Sequence, residues 1–130
     1  MENELKISFN NQEKDLLLKD LCARLPYGVK VITSVGGEIR NDKEQLNFAQ
    51  LSLFEAGYED VKPYLFPISS MTAEQRKEYT HIANMYGNIG ATQLTGTTIQ
   101  DWLNKNHFDY RDRGLIPKGL ANDATGLNIY

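Results

Sequence analysis

The sequence predicts a single α+β domain: a leading helix, a small and mostly antiparallel sheet, two later helices packed on one face, and an irregular C-terminal segment. Three observations lead there. Leucines recur at helical spacing early in the chain, and β-branched residues concentrate at 29–33 just before the Gly36-Gly37 turn. Strands and helices also do not alternate in the regular βαβ order that a doubly wound fold requires.

The first helix is expected over residues 12–25, where Leu17, Leu18, Leu21 and Leu25 share a face with Cys22 beside them. Asn10, followed three residues later by Glu13, fits an N-terminal cap. Asp15–Lys19 and Asp20–Arg24 are acid-before-base pairs one turn apart, each contributing about 0.2–0.5 kcal/mol on a helix surface. Pro26 stops the helix and Gly28 redirects the chain. Residues 29–33 then read as a strand, with Glu38-Ile39-Arg40 returning as its hairpin partner. Over residues 44–56, Leu46 and Phe48 alternate with polar or small neighbours, as do Leu51 and Leu53, but the two pairs are out of phase. A bulged strand accommodates that shift and is the expectation; a helix closed by Gly57 is the alternative.

Pro63 and Pro67 bar residues 61–68 from a central strand, leaving an edge strand or a surface-hugging segment. Thr72 and Gln75 have capping-box spacing for a helix over 73–86, with Tyr79, Ile82, Ala83 and Tyr86 on one face and Gly87 at its exit. Residues 87–96 read as loop. Thr98 caps a last short helix, with Asp101 in its first turn and Ile99, Trp102 and Leu103 along it, ending near His107. Beyond Asp109 the chain is irregular, held by Leu115, Ile116, Leu120 and Ile129-Tyr130. Residues 1–9 and 122–130 are expected to be the less ordered ends.

Composition narrows function. At 130 residues, 41% hydrophobic and 24% charged, the chain fits one ordinary core. A formal charge of −3 with no basic block disfavours nucleic acid as a partner, because phosphate neutralisation supplies most of that affinity. The longest apolar run, Leu16-Leu17-Leu18, is far short of the roughly 20 residues a membrane span needs, and Met1-Glu2-Asn3-Glu4 lacks a signal-peptide pattern. A single cysteine excludes an internal disulfide, and a cytoplasmic location is the expectation.

The chemistry-bearing residues concentrate in Asp101-Trp102-Leu103-Asn104-Lys105-Asn106-His107-Phe108-Asp109-Tyr110-Arg111. His107 with Asp109 is the one candidate general base and orienting acid, with Arg111 binding an anion, but no nucleophile accompanies them. A histidine at a helix C-terminus has a structural role without catalysis. Trp102, Tyr110 and Arg111 are the candidate binding patch, since Trp, Tyr and Arg dominate interface hot spots; packing into the core is the default for Trp102, Phe108, Tyr110, Tyr64 and Phe66. Cys22, among leucines, reads as a small core residue rather than a nucleophile. Two histidines and one cysteine in different elements make no metal-ligand motif, and neither Gly36-Gly37 nor Gly87-Asn88-Ile89-Gly90 is a phosphate loop. No cofactor is expected.

Four motifs together resemble a family. They are Lys19-Asp20-Leu21-Cys22-Ala23-Arg24-Leu25-Pro26-Tyr27-Gly28-Val29, then Asp60-Val61-Lys62-Pro63-Tyr64-Leu65 with Pro67, then Ser69-Ser70-Met71-Thr72, and Asp101-Trp102-Leu103-Asn104 with His107-Phe108-Asp109-Tyr110-Arg111 and Gly114-Leu115-Ile116-Pro117-Lys118-Gly119-Leu120-Ala121. In that order they resemble small proteins of gut bacteria and their phages or prophages, a family without assigned chemistry. The resemblance implies a mobile-element context and carries over no catalytic residue. The family more often has Arg where Phe66 stands, and runs directly from Tyr-Arg to Gly-Leu-Ile where Asp112-Arg113 intervenes here.

The functional expectation is therefore a non-enzymatic accessory domain that binds another protein, as a monomer or weak homodimer. A small hydrolase or nuclease using His107 and Asp109 is the alternative, and a nucleic-acid-binding accessory protein the third reading.

Overall fold

The computed structural model describes residues 10–89, 99–110 and 114–130, with the side chains of 85–89 and of 100 excepted. Among these residues, four α-helices and a four-stranded sheet form an α+β fold: α1 (Asn11–Arg24), β1 (Lys30–Val35), β2 (Glu38–Gln45), α2 (Phe48–Ala56), β3 (Asp60–Leu65), α3 (Ala73–Ile89), α4 (Ile99–Lys105) and β4 (Asn122–Asp123). The sheet order is β2-β1-β3-β4, antiparallel except for the short parallel pairing of β3 with β4.

The capping box at Asn10 and Glu13 starts α1, each residue's side chain accepting the other's backbone N–H. The buried face of α1 is Leu17, Asp20, Leu21 and Arg24, the i, i+3, i+4, i+7 stripe of a core-facing helix. That rotation corrects two expectations. Cys22 is exposed rather than in the core. Asp20 and Arg24 form no surface pair: both side chains are fully buried, joined at 2.7 Å. One turn of 3-10 helix, Leu25–Tyr27, follows Arg24, and Gly28 at φ +80° then launches β1.

Residues 44–56 do not form a bulged strand. β2 runs to Gln45, and a second reciprocal cap, Asn47 with Gln50, starts α2. Gly57 ends α2 at φ +87°, with the Gly57 and Tyr58 N–H groups bonded back to the Phe54 and Leu53 carbonyls. The out-of-phase apolar pairs are thus a strand end followed by a helix, with Leu51 and Phe54 turned inward.

β3 is also not an edge strand. It lies between β1 and β4, and Pro63 is tolerated because β4 pairs only with Tyr64 and Leu65, so at Pro63 the strand has β1 alone as a neighbour. One true edge is β2, exposed along most of its length and bulged at Arg40 and at Lys43, which takes φ +59°. Bulges and charges of that kind discourage edge-to-edge pairing. The capping box at Thr72 and Gln75 forms, but α3 continues through Gly87 to Ile89 instead of stopping there. The expected loop beyond residue 89 and the Thr98 cap lie outside the described residues.

The main core joins α1 and α2 to one face of the sheet through Leu17, Leu21, Val31, Phe54, Val61 and Leu65, closed by Leu115 and Leu120. A second cluster, Met71, Trp102, Leu103, Phe108 and Tyr110, packs with Tyr79 and Ile82 of α3. Ile32, Tyr64 and Ala124 form a small third cluster with Ile129. No described helix is long and apolar enough to cross a membrane.

Candidate functional site

The Trp102–Tyr110 stretch is built inward. Trp102 is 6% exposed, stacks on Phe108 with ring centres 5.7 Å apart and planes within 6°, and donates its indole N–H to Glu78 at 2.9 Å. Tyr110 is 4% exposed; its hydroxyl donates to the Asn104 side-chain oxygen, and the Arg24 guanidinium lies 4.7 Å over its ring. Both candidate binding residues are therefore core side chains with internal hydrogen bonds, and no surface patch forms from them. Arg111, the third, lies outside the described residues, as do Asp112 and Arg113.

His107 and Asp109 have backbone reasons for their placement. His107 takes φ +63° just past the end of α4; its N–H bonds the Asn104 carbonyl and the Phe108 N–H bonds the Leu103 carbonyl. This is the same closing motif that Gly57 makes on α2, with histidine in the left-handed position glycine normally takes. The Phe66 N–H then bonds the His107 carbonyl and the Asp109 N–H bonds the Phe66 carbonyl, which lays the stretch alongside the continuation of β3. The Asp109 carboxylate, buried, accepts the Leu115 and Ile116 N–H groups at 3.1 and 3.0 Å. Its two oxygens are thus occupied with capping the following turn, and they do not orient the imidazole.

The His107 ring instead stacks on Tyr130, centres 3.7 Å apart and planes within 11°. Burial, with the charges of Arg24 and Lys30, holds its pKa down to about 4, so the ring is neutral at ordinary pH. Its Nδ1 is buried and makes no hydrogen bond, and the Arg24 Nη1 and Nη2 atoms are in the same condition. A neutral imidazole has a base's protonation state, but the Tyr130 ring covers one face of it and no described hydroxyl or thiol bonds to it. Among the described residues, no three His, Cys, Asp or Glu side chains come together as metal ligands.

The surface has a second candidate that the sequence pattern concealed. The inward face of α2 is Gln50, Leu51 and Phe54; its remaining residues, Phe48, Ala49, Ser52, Leu53, Glu55 and Ala56, are all exposed, with Glu55 their single charge. Phe48 is 73% exposed, Leu53 42%, and Tyr58, just past the helix, 72%. Large apolar side chains left exposed together on a short helix mark a surface that another molecule can cover. Acids accompany it in the chain: Glu55 on the helix, then Glu59 and Asp60 after Tyr58. Burial raises the pKa values of both Glu59 and Asp60, and Glu59 Oε1 is buried without a hydrogen-bond partner. Lys14, the neighbouring cation, donates to the Glu55 carbonyl and sits over the Phe54 ring. The signal that would have found α2 is the Asn47–Gln50 cap followed by nine residues with a single charge.

Compared with protein-family models, curated proteins and solved structures, the chain matches none significantly.

Proposed function

We propose that this chain is a non-enzymatic accessory domain that binds another protein through the outward face of α2. The observation that carries the reading is the group of large apolar side chains left exposed on and beside α2, with Phe48 and Tyr58 nearly three-quarters exposed at its two ends and Glu55 the single charge on the helix. With aromatic side chains burying about 150–250 Å² each, Phe48, Leu53 and Tyr58 offer roughly 350–400 Å² of apolar surface. That is about half of the ~800 Å² each partner contributes to a standard interface, so the contact is a transient one rather than an obligate homodimer. Glu55 on the helix, with Glu59 and Asp60 just after Tyr58, gives the partner its chemistry: a segment with apolar side chains at its centre and Lys or Arg at its margins. A mobile-element origin and a cytoplasmic setting, carried by the family resemblance and by composition, belong to the same proposal.

The test is site-specific photo-crosslinking with a benzophenone side chain replacing Phe48, in the cells from which the chain comes. One dominant adduct is expected, crosslinked at a segment where apolar residues stand beside Lys or Arg, and it should disappear when Leu53→Glu is added. An adduct indifferent to Leu53→Glu, or none beyond the unmodified monomer, would reject the reading.

A further inference from the structure

The ladder between β1 and β3 stops at Val31 opposite Pro63. One step further out, Lys30 faces Tyr64 without forming a ladder pair, and the phenol of Tyr130 stands between them. The Lys30 N–H donates to the Tyr130 hydroxyl at 2.7 Å, and that hydroxyl donates to the Tyr64 carbonyl at 2.7 Å. The ring lies flat on His107 and is walled by Phe66 at 5.8 Å. Donor, acceptor, stacking floor and side wall together make a complete receptor for a p-hydroxyphenyl group. All of its parts except the occupant come from the sheet and the end of α4.

The segment that precedes the occupant is exposed along much of its length. Leu127 and Tyr130 are each 40% exposed, residues 125–128 are exposed, and Asn128 holds φ +56°, a left-handed backbone that costs a non-glycine residue energy. Ile129, packed against Ile32, Tyr64 and Ala124, keeps the segment near the slot when the ring leaves it. We propose that this slot is an exchangeable binding site for a p-hydroxyphenyl group, free or as a tyrosine side chain, with Tyr130 as its resident occupant. The site is separate from the α2 face and does not depend on it.

The polar end sets the selectivity. A ring without the hydroxyl leaves the Lys30 N–H and the Tyr64 carbonyl unpartnered at a partly buried site, a loss that discriminates strongly against such analogues. The test is NMR titration of the Tyr130→Ala protein with p-cresol, following the His107 imidazole resonances. Saturable binding with a Kd on the order of 1 mM is expected, as suits so small a ligand. The unaltered protein should bind at least tenfold more weakly, because its own phenol competes at high effective concentration. Toluene should also bind at least tenfold more weakly than p-cresol.

N-acetyltyrosine amide separates the sources. Affinity equal to that of p-cresol identifies a tyrosine side chain as the ligand, and tenfold weaker binding identifies a free phenol. Tyr130→Phe, which keeps the ring, provides the measurement if Tyr130→Ala fails to fold; p-cresol should displace the hydroxyl-free ring of that variant more readily than it displaces the native phenol. Equal binding of toluene and p-cresol, or no saturable p-cresol binding by either variant, would overturn the proposal.

Discussion

The Trp102–Tyr110 stretch and the outward face of α2 invert what their sequences suggest. The first is rich in aromatic and chargeable groups and is turned into the protein, its indole, phenol and carboxylate each satisfied by an internal partner. The second is chemically plain, yet it leaves two aromatic rings mostly in water. Residue chemistry identifies groups capable of binding; burial and hydrogen-bond satisfaction decide which of them are free to do so. A tryptophan whose N–H is already taken by Glu78 contributes to stability, whereas Phe48 has no internal role that its exposure allows.

The comparison breaks first on the buried side. Trp102→Ala should cost about 3–5 kcal/mol in urea unfolding, the usual cost of emptying a buried aromatic site. Asp20→Ala should cost a similar 3–5 kcal/mol, because it strands the buried Arg24 guanidinium, whose terminal nitrogens already lack hydrogen-bond partners. The joint replacement Asp20→Leu with Arg24→Met should recover most of that loss, since it removes both buried charges and leaves neither without its partner. If Asp20→Ala unfolds at the urea midpoint of the unaltered protein, the buried pair does not hold α1 in the way described.

His107 gives the next largest effect and a definite sign. Its folded pKa, about 4, is below the ordinary 6.5, so the unfolded chain takes up a proton first as pH falls. The contribution to stability is complete above about pH 6.5 and is lost as pH falls towards 4, amounting to about 1–2 kcal/mol once solvent screening of the half-buried ring is discounted. Below that pH both states are protonated and this group contributes no further slope. Asp42, Glu59 and Asp60 are shifted in the folded chain as well. Burial raises the last two, while in Asp42 burial is outweighed by hydrogen bonds from Tyr64 and Lys43 that lower it. The difference between the unaltered protein and His107→Asn, measured at pH 7 and pH 4.5, isolates the histidine. An unchanged difference across that interval would refute the assignment.

Much of the scaffold is legible in the chain. The caps at Asn10/Glu13 and Thr72/Gln75 carry their own signatures, and both form. Gly57 likewise marks the end of α2 in the alternative reading, and it is the apolar alternation before it that misleads. A strand end and a helix start placed back to back imitate one bulged strand. His107 closes α4 as Gly57 closes α2, but a histidine carries no local signal for a left-handed turn; the stack with Tyr130 and the hydrogen bonds to Phe66 are made by residues far away in sequence. Cys22 is misplaced by the sequence pattern for a related reason. Leucines lie on several sides of α1, and only the tertiary partners of Asp20 and Arg24 choose which side turns inward.

The smallest thermodynamic effect should come from the face given the largest functional role. Phe48→Asp, at a position 73% exposed, should change unfolding free energy by no more than about 0.5 kcal/mol. Pairing it with Trp102→Phe, in one urea titration and one crosslinking assay with the benzophenone placed at Leu53, tests the central claim most directly. Phe48→Asp should leave the urea midpoint in place and abolish the adduct, while Trp102→Phe should lower the midpoint and leave the adduct of the folded protein intact. An adduct that survives Phe48→Asp but is lost in folded Trp102→Phe protein would contradict the account.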